Sequence, residues 1–115
     1  MFQVVVASVV VLGLASAQST DSEPQRLLEE MSRLQEDYKR CLVEQTVNLG
    51  RSNGEGAETI LRGVSAKCLP TEQQLRAIYG EMPISKVHAE SLMQRDRKLG
   101  EDAGIAALLE ARARN

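Results

Sequence analysis

The amino-acid sequence predicts an all-α protein, a small bundle of about four to five helices pinned by one disulfide between Cys41 and Cys68. Three observations carry this prediction. Apolar residues recur at helical spacing, no segment after the amino-terminal apolar run alternates as a strand does, and both cysteines fall on apolar helix stripes. The 115 residues divide into a predicted signal peptide, 1–17, and one small domain, 18–115.

The amino-terminal segment has the organisation of a secretory signal. Val4–Leu14 is an apolar run that is too short for a membrane span. Ala15 and Ala17 supply the small residues that signal peptidase accepts, so we predict cleavage between Ala17 and Gln18. Residues 18–23 are polar without periodicity and are predicted to be a disordered amino terminus. These features predict a secreted, extracellular protein with no membrane span.

The first helix of the domain has the strongest pattern. Ser22 is placed to cap it, Pro24 suits its first turn, and Gln25 can complete a capping box. Its apolar stripe comprises Leu27, Met31, Leu34, Tyr38, Cys41, Leu42, Gln45 and Leu49. Gly50 is predicted to end the helix, and the glycine-rich residues 50–56 are predicted to form a flexible loop.

Weaker patterns predict the remaining helices. They are predicted over 57–68, 71–82, 85–99 and 102–112. Pro70 and Pro83 bound the second of these, Ser85 caps the third, and Gly100 separates the last two. The apolar side of the 85–99 helix is predicted to carry Val87, Leu92 and Leu99 together with His88.

The two cysteines are predicted to bond to each other. In a secreted chain an even pair favours one disulfide, which here would join the first two helices inside the core. Closing a loop of about 28 residues gives roughly 3–4 kcal/mol of stabilisation on the chain-entropy model. A monomer is favoured, and a disulfide-linked dimer through Cys41 or Cys68 is the alternative.

Side chains that could perform catalysis or bind a metal are sparse, so we predict no enzyme, no metal and no cofactor. His88 is the only histidine, and no second ligand lies at a coordinating spacing. The paired carboxylates are Glu29-Glu30, Glu36-Asp37 and Glu101-Asp102. Neighbours on one helix point apart, so these pairs are typical of solvated faces, and Glu36 is spaced for an ion pair with Arg40. No nucleophile or zinc-binding motif occurs.

Composition makes nucleic acid an improbable partner. The formal net charge is −2, whereas a nucleic-acid binder needs a basic face to displace phosphate counterions. The only aromatic residues after the signal are Tyr38 and Tyr79, too few for a base-stacking platform or an aromatic cage.

Two basic pairs, Lys39-Arg40 and Arg97-Lys98, have the form of processing sites in a secreted precursor. Lys39-Arg40 falls inside the first helix, where cleavage would require local unfolding. Arg97-Lys98 is predicted near a helix end, where it would be more accessible. Basic residues near a helix end also interact favourably with its dipole, and that plain interpretation is favoured.

Because no motif carries chemistry, binding is the favoured function. We predict a secreted protein that binds a macromolecular partner through a rigid helical surface, with the first helix as its main presenter. Effectors, venom or salivary components, reproductive-fluid proteins and signalling ligands all fit this description. One alternative is a carrier of a small apolar ligand, with Met31, Met82 and Met93 lining an adaptable cavity. Another is a precursor processed at Arg97-Lys98.

Overall fold

The computed structural model describes the backbone of residues 2–52 and 54–114 and the side chains of residues 23–52 and 54–114. This part of the chain forms four α-helices and no strand, which confirms the all-α prediction. The helices are α1 (Phe2–Ser52), α2 (Ala57–Lys67), α3 (Leu69–Glu81) and α4 (Lys86–Arg114). Among the residues with described side chains, no helix is long and apolar enough to cross a membrane.

The chain divides into two compact units, Met1–Glu30 and Met31–Asn115. In the first unit, Arg26 forms ion pairs with Glu23 at 3.3 Å and with Glu30 at 3.6 Å. These partners lie three and four residues away, the spacings at which opposite charges stabilise a helix. All further contacts described below lie within the second unit.

Several predictions concern the amino-terminal segment. The predicted signal peptide 1–17, its cleavage between Ala17 and Gln18, and most of the predicted disordered segment 18–23 lie outside the described side chains; they stay predictions. The predicted helix start is different in the structure, because α1 already includes both Ser22 and Pro24. Pro24 therefore lies inside a helix, where a proline removes one backbone hydrogen bond and crowds the carbonyl four residues earlier, so the sequence pattern placed the helix start too late.

In the second unit, α2 and α3 together run antiparallel to α1. The contacts at successive levels join Gly63 to Leu49, Cys68 to Cys41 and Gln35 to Tyr79. Residue numbers therefore fall along α1 while they rise along α2 and α3. The two short helices act as one return rod that is broken at Cys68.

The last helix, α4, runs parallel to α1. Its contacts join Arg97 to Tyr38, Gly100 to Leu42, Gly104 to Thr46 and Arg112 to Gly50. Residue numbers rise together along both helices. The second unit is therefore an up–down–up bundle of three rods, in which the first and last helices are neighbours.

Glycines let α1 and α4 approach closely. The glycine seam comprises Gly50, Gly100 and Gly104. A Cβ atom at Gly104 would lie 2.8 Å from Thr46 Oγ1 and 3.2 Å from the carbonyl oxygen of Leu42. A Cβ at either of the other two positions would collide with a leucine side chain of the facing helix. Only glycine leaves room for the facing helix at this distance.

The glycine seam explains two wrong predictions. Gly50 does not end the first helix: α1 continues to Ser52, so the described irregular segment is 54–56 rather than the whole of 50–56. Gly100 does not separate two helices but lies inside α4, which is why the bundle has four helices rather than five. At both positions the sequence pattern suggests the end of a helix. In the structure, glycine is needed there because another helix packs closely against the backbone.

The predicted disulfide between Cys41 and Cys68 is confirmed, with a Cα–Cα distance of 5.9 Å. It ties the middle of α1 to the junction of α2 and α3, and Cys68 is fully buried there. Since the two sulfurs bond to each other, neither is available in this structure to link a second chain. Pro70 lies in the first turn of α3, where its missing N–H has no helical partner to lose, so α3 begins at Leu69.

The core is aliphatic with two buried tyrosines. Its members are Leu34, Tyr38, Leu42, Ile60, Val64, Cys68, Leu75, Ile78, Tyr79, Met93 and Leu108. The three members from α1 belong to the stripe that the sequence predicts. This stripe is what holds the return rod and α4 against α1.

The predicted apolar side of α4 is wrong. Val87 is 79% exposed and Leu99 is 57% exposed, and His88 is exposed as well. The buried residues of α4 are Met93, Asp96, Gly100, Gly104 and Leu108, a set that includes glycines and a carboxylate. The predicted cap is confirmed, because Ser85 Oγ accepts a hydrogen bond from the backbone N–H of His88 at 3.1 Å.

Candidate functional site

An open groove between α1 and α4, called here the α1–α4 groove, is the candidate functional site. Its lining residues are Gln35, Glu36 and Lys39 from α1 and Arg95, Asp96, Leu99 and Ala103 from α4. Its volume is about 430 Å³. This falls within the size range of sites that hold a ligand or a partner's side chains, although the groove is open to solvent.

A hydrogen-bonded group beneath the groove, the Tyr79 cluster, comprises Gln35, Tyr79, Arg95 and Asp96. The Tyr79 hydroxyl donates to Asp96 Oδ2 and accepts a hydrogen bond from Gln35 Nε2 at 2.7 Å. Asp96 Oδ1 accepts a hydrogen bond from Arg95 Nη2 at 3.2 Å. Because Asp96 is 9% exposed, these donors offset the cost of removing its charge from water.

A second group, the Tyr38 cluster, lies at the same three-helix contact and comprises Tyr38, Glu72 and Arg97. Arg97 Nη2 forms an ion pair with Glu72 Oε1. The Tyr38 hydroxyl donates to Glu72 Oε1 at 3.4 Å and accepts a hydrogen bond from Arg97 Nε at 3.4 Å. One residue each from α1, α3 and α4 therefore meets at this point, and the cluster fixes their relative positions.

Burial changes the acid–base properties of these side chains. Burial, together with a hydrogen bond to Asp96, raises the pKa of Tyr79 to about 12. Burial also raises the pKa of Tyr38, although the hydrogen bond from Arg97 partly opposes this change. Hydrogen bonds to Tyr38 and Glu72 raise the pKa of Arg97 further above its usual value. At neutral pH both tyrosines therefore keep their protons and Arg97 keeps its charge.

These pKa directions define what the clusters can do. A tyrosine whose pKa is raised holds its proton more firmly, so it serves as a hydrogen-bond donor rather than as a general base. In the described part of the chain, no buried side-chain nitrogen or oxygen lacks a hydrogen-bond partner. The clusters therefore act as a rigid polar support for the groove.

The rim of the groove differs from its floor. Glu36 and Lys39 are exposed, and within the described residues neither forms an ion pair or a side-chain hydrogen bond. The predicted pair of Glu36 with Arg40 is wrong, because Arg40 pairs with Asp37 at 3.3 Å. Leu99, more than half exposed, adds an apolar surface beside these charges. The rim thus offers opposite charges and a leucine to solvent.

The possible processing site at Arg97-Lys98 lies in the middle of α4 rather than near a helix end. Arg97 belongs to the Tyr38 cluster, and Lys98 forms an ion pair with Asp102 at 3.1 Å. A protease requires an extended segment, so cleavage there would need local unfolding of α4. Cleavage itself stays a prediction.

The residues named for an apolar-ligand cavity are dispersed. Met93 is buried in the core, whereas Met31 and Met82 are each partly exposed. None of the three lines the α1–α4 groove. Two other surface grooves formed by described residues also lack them; one carries the charged pair of Glu58 with Arg62, and the other carries the pair of Arg76 with Glu90. Among the residues with described side chains, no group of three or more His, Cys, Asp or Glu is placed to hold a metal ion.

Sequence reasoning missed the acidic members of both clusters, Glu72 and Asp96, and their tyrosine partners. One signal was present: Tyr38 and Tyr79 fall on predicted apolar stripes, and a buried hydroxyl needs a polar partner. Asp96 was missed because the break predicted at Gly100 concealed the periodicity that joins residues 93, 96, 100, 104 and 108.

Comparison with known proteins does not supply a family. No protein-family model, no curated protein and no solved structure matches this chain.

Proposed function

We propose that this chain is a secreted binding protein and that it recognises a macromolecular partner through the α1–α4 groove. The observation that supports the proposal is the groove itself. An exposed leucine and two charges that have no ion-pair partner among the described residues lie above a floor whose buried polar groups all form hydrogen bonds in that part of the chain. Surfaces that combine an apolar contact with surrounding polar groups are typical of protein interfaces.

Rigidity supports the same proposal. The glycine seam and the two polar clusters hold α1 and α4 at a fixed separation. The Cys41–Cys68 disulfide ties α1 to the junction of α2 and α3. A surface that is rigid before binding loses little conformational entropy when a partner docks. The arrangement therefore suits recognition through preformed contacts.

The secretion part of the proposal is tested by expressing the full chain in secretory cells and sequencing the amino terminus of the product in the medium. We expect the product to begin at Gln18 and to contain the Cys41–Cys68 disulfide. An Ala17→Arg variant is the control, since a large charged residue there blocks signal peptidase. Wild-type protein that stays inside the cell, or that leaves it beginning at Met1, would contradict the proposal.

The binding part is tested by placing a photoreactive amino acid at Lys39 in the groove or, as a matched control, at Lys67 at the end of α2. Irradiation in the native extracellular fluid should crosslink the Lys39 probe to one partner. Excess unlabelled wild type should compete for this crosslink, and an added Leu99→Asp change should abolish it. Equal crosslinking from Lys67, or a Lys39 crosslink that wild type cannot compete away, would refute the groove as the binding site.

A further inference from the structure

We propose that a trypsin-like protease cuts this chain after Arg51 and leaves a two-chain protein that the Cys41–Cys68 disulfide holds together. The proposal goes beyond the binding function and shares with it only the premise that the chain is secreted. The sequence places processing at Arg97-Lys98. The structure favours a different place, at the connection between α1 and α2.

The connection between α1 and α2 stands clear of the bundle. Its described residues, 54–56, are all exposed and belong to no helix. Among the described residues, nothing lies within 4 Å of the position that a Cβ atom would take at Gly54 or at Gly56. Exposed loops of small and polar residues are the preferred sites of proteolytic cleavage, because a protease needs room around an extended segment. This connection offers that room.

The connection between α3 and α4 is built differently. Met82 and Ile84 are partly buried there. Hydrogen bonds run from the Met82 N–H to the Tyr79 carbonyl at 3.2 Å and from the Ile84 N–H to the Met82 carbonyl at 2.8 Å. The basic residue nearest to this connection, Lys86, therefore follows an anchored turn, whereas Arg51 precedes an open one.

Arg51 supplies the cation that the acidic specificity pocket of a trypsin-like protease recognises. It is exposed and lies in the last turn of α1, which ends at Ser52. Helix ends fray at a low free-energy cost, so the bond between Arg51 and Ser52 becomes extended more readily than a bond inside a helix. Arg97-Lys98 lies in the middle of α4, where the same opening would also break the Tyr38 cluster. Cleavage should therefore occur first at Arg51.

The reaction is the hydrolysis of one peptide bond. The C–N bond between Arg51 and Ser52 breaks, and water supplies OH to the Arg51 carbonyl carbon and H to the Ser52 nitrogen. At neutral pH, transfer of one proton leaves a carboxylate on Arg51 and an ammonium group on Ser52. The carboxylate falls at the negative end of the α1 dipole, where it is repelled. Arg112 offsets this repulsion, because its guanidinium already donates to the neighbouring carbonyl oxygen of Gly50 at 3.0 Å.

The cut divides the bundle between two chains without releasing either of them. Cys41 precedes the cut and Cys68 follows it, so the disulfide joins the two products. The Tyr38 cluster also joins α1 of the first chain to α3 and α4 of the second. The walls of the α1–α4 groove then belong to different chains, with Lys39 on the first and Leu99 on the second. The disulfide thereby becomes the covalent link between the two walls.

Limited digestion of the secreted protein with trypsin tests the site, with the products read by mass spectrometry before and after reduction. The first two-chain product should exceed the uncut mass by one water molecule. Reduction should separate it into a chain that ends at Arg51 and a chain that begins at Ser52. Arg51→Gln should slow formation of a two-chain product about tenfold or more. Arg62→Gln is the matched control and should leave the rate unchanged, because Arg62 is equally exposed but lies inside α2.

The same mass measurement on protein from the native extracellular fluid shows whether the cut is made there. We expect a fraction of the molecules to have the two-chain mass. A first two-chain product cut at Arg97 or Lys98 would overturn the proposal. An Arg51→Gln variant that is cut as fast as wild type, or native protein that is entirely single-chain, would overturn it as well.

Reduction of the cut protein gives an independent readout. Once a thiol reductant has opened the disulfide, the two chains should dissociate on dilution, because folding then requires two separate molecules. Uncut protein treated in the same way stays one molecule, so its folded fraction should not depend on concentration. Cut protein that separates before reduction would contradict the proposal. Binding through the α1–α4 groove fails or stands separately, since the photoreactive probe at Lys39 reports binding and the mass reports the cut.

Discussion

At the carboxyl end of the contact between α1 and α4, Gly104 lets the two backbones approach closely. Thr46 Oγ1 lies only 2.8 Å from the position that a Cβ atom at Gly104 would take. At the amino end of the same contact, Tyr38 and Arg97 hold the helices through hydrogen bonds to Glu72 of a third helix. At the carboxyl end the helices lie close together because glycine has no side chain. At the amino end the helices are held by hydrogen bonds and an ion pair between polar side chains.

The difference concerns what each end tolerates. At the glycine seam any added atom meets the facing helix, so the constraint is steric and independent of pH. At the polar clusters the shape survives if a hydroxyl is removed, but a buried charge then loses a donor. Substitutions at the glycine seam should change the free energy of unfolding according to side-chain size. Substitutions at the polar clusters should change it according to the hydrogen bonds lost, and this change should depend on pH.

Leu42→Ala should have the largest effect, because Leu42 lies between the two ends and covers Gly100. Leu42 is 1% exposed, so its loss leaves a cavity and should lower the free energy of unfolding by about 2–5 kcal/mol. Chemical denaturation followed by circular dichroism measures the change. Leu69→Ala is the control at an exposed leucine, with an expected change within about 0.5 kcal/mol. Equal losses at both positions would disprove the central role of Leu42.

A single substitution made at two glycines distinguishes packing from helix propensity. Gly104→Ala places a methyl group against the Leu42 carbonyl and should lower the free energy of unfolding by about 1–3 kcal/mol. Gly80→Ala, at an exposed position in α3 with open space around it, should raise the free energy of unfolding by up to about 1 kcal/mol. Thermal and denaturant unfolding measure both. The same sign at the two positions would contradict the steric account of the seam.

Tyr79→Phe tests the polar end without changing its shape. Asp96 would lose the donor on Oδ2 while it stays buried, so the free energy of unfolding at pH 7 should fall by about 1–2 kcal/mol. Tyr38→Phe is the internal comparison and should cost less, since both hydrogen bonds of the Tyr38 hydroxyl are long, at 3.4 Å. A larger loss for Tyr38→Phe would reverse our ranking of the two clusters.

Alkaline pH should also act at the polar end. Folding raises the pKa of Tyr79 from 10.0 to about 12, so the folded state binds this proton more tightly than the unfolded state. The resulting stabilisation is complete below pH 10 and is lost as pH rises from 10 towards 12, at up to about 1.4 kcal/mol per pH unit. Between pH 8 and 11.5, the free energy of unfolding measured by chemical denaturation should therefore decrease more steeply with pH for wild type than for Tyr79→Phe. Parallel curves would rule out this linkage.

The smallest effect is expected at the extreme carboxyl end of the contact, where Arg112 Nη2 donates to the carbonyl oxygen of Gly50 at 3.0 Å. Arg112→Ala removes this cap from the last turn of α1 and should cost about 0.5–1.5 kcal/mol. Arg114→Ala serves as the control, because Arg114 pairs only with Glu110 on its own helix and should cost less than about 0.5 kcal/mol. Hydrogen exchange of the amides near Gly50 should rise only in the first variant.

The two ends of the contact also differ in how far the sequence predicts them. The disulfide, the all-α class, the stripe through Leu34 and Leu42 and the Ser85 cap follow from local periodicity and composition, and the structure confirms them. The glycine seam was misjudged because a glycine that ends a helix and a glycine that admits a neighbour look alike in one sequence. Only the facing residue, such as Leu108 opposite Gly50, distinguishes them.

The candidate site was predicted less well than the fold. The sequence names the first helix as the presenter of a binding surface, which stays a prediction, and it gives no indication that α4 supplies the other wall of the groove. Asp96 and Glu72 are separated by more than twenty residues in the chain, and their proximity to Tyr79 and Tyr38 depends on the return rod. Such non-local pairing is not encoded in spacing along one helix, so it could not be predicted.

The hydrogen bond from Arg112 to Gly50 has a consequence for biosynthesis. The last turn of α1 is capped by a side chain that lies sixty-two positions later in the sequence. During synthesis the end of α1 gains this cap only after Arg112 has been added and α4 has docked. A protein truncated before Arg112 should therefore leave the end of α1 frayed.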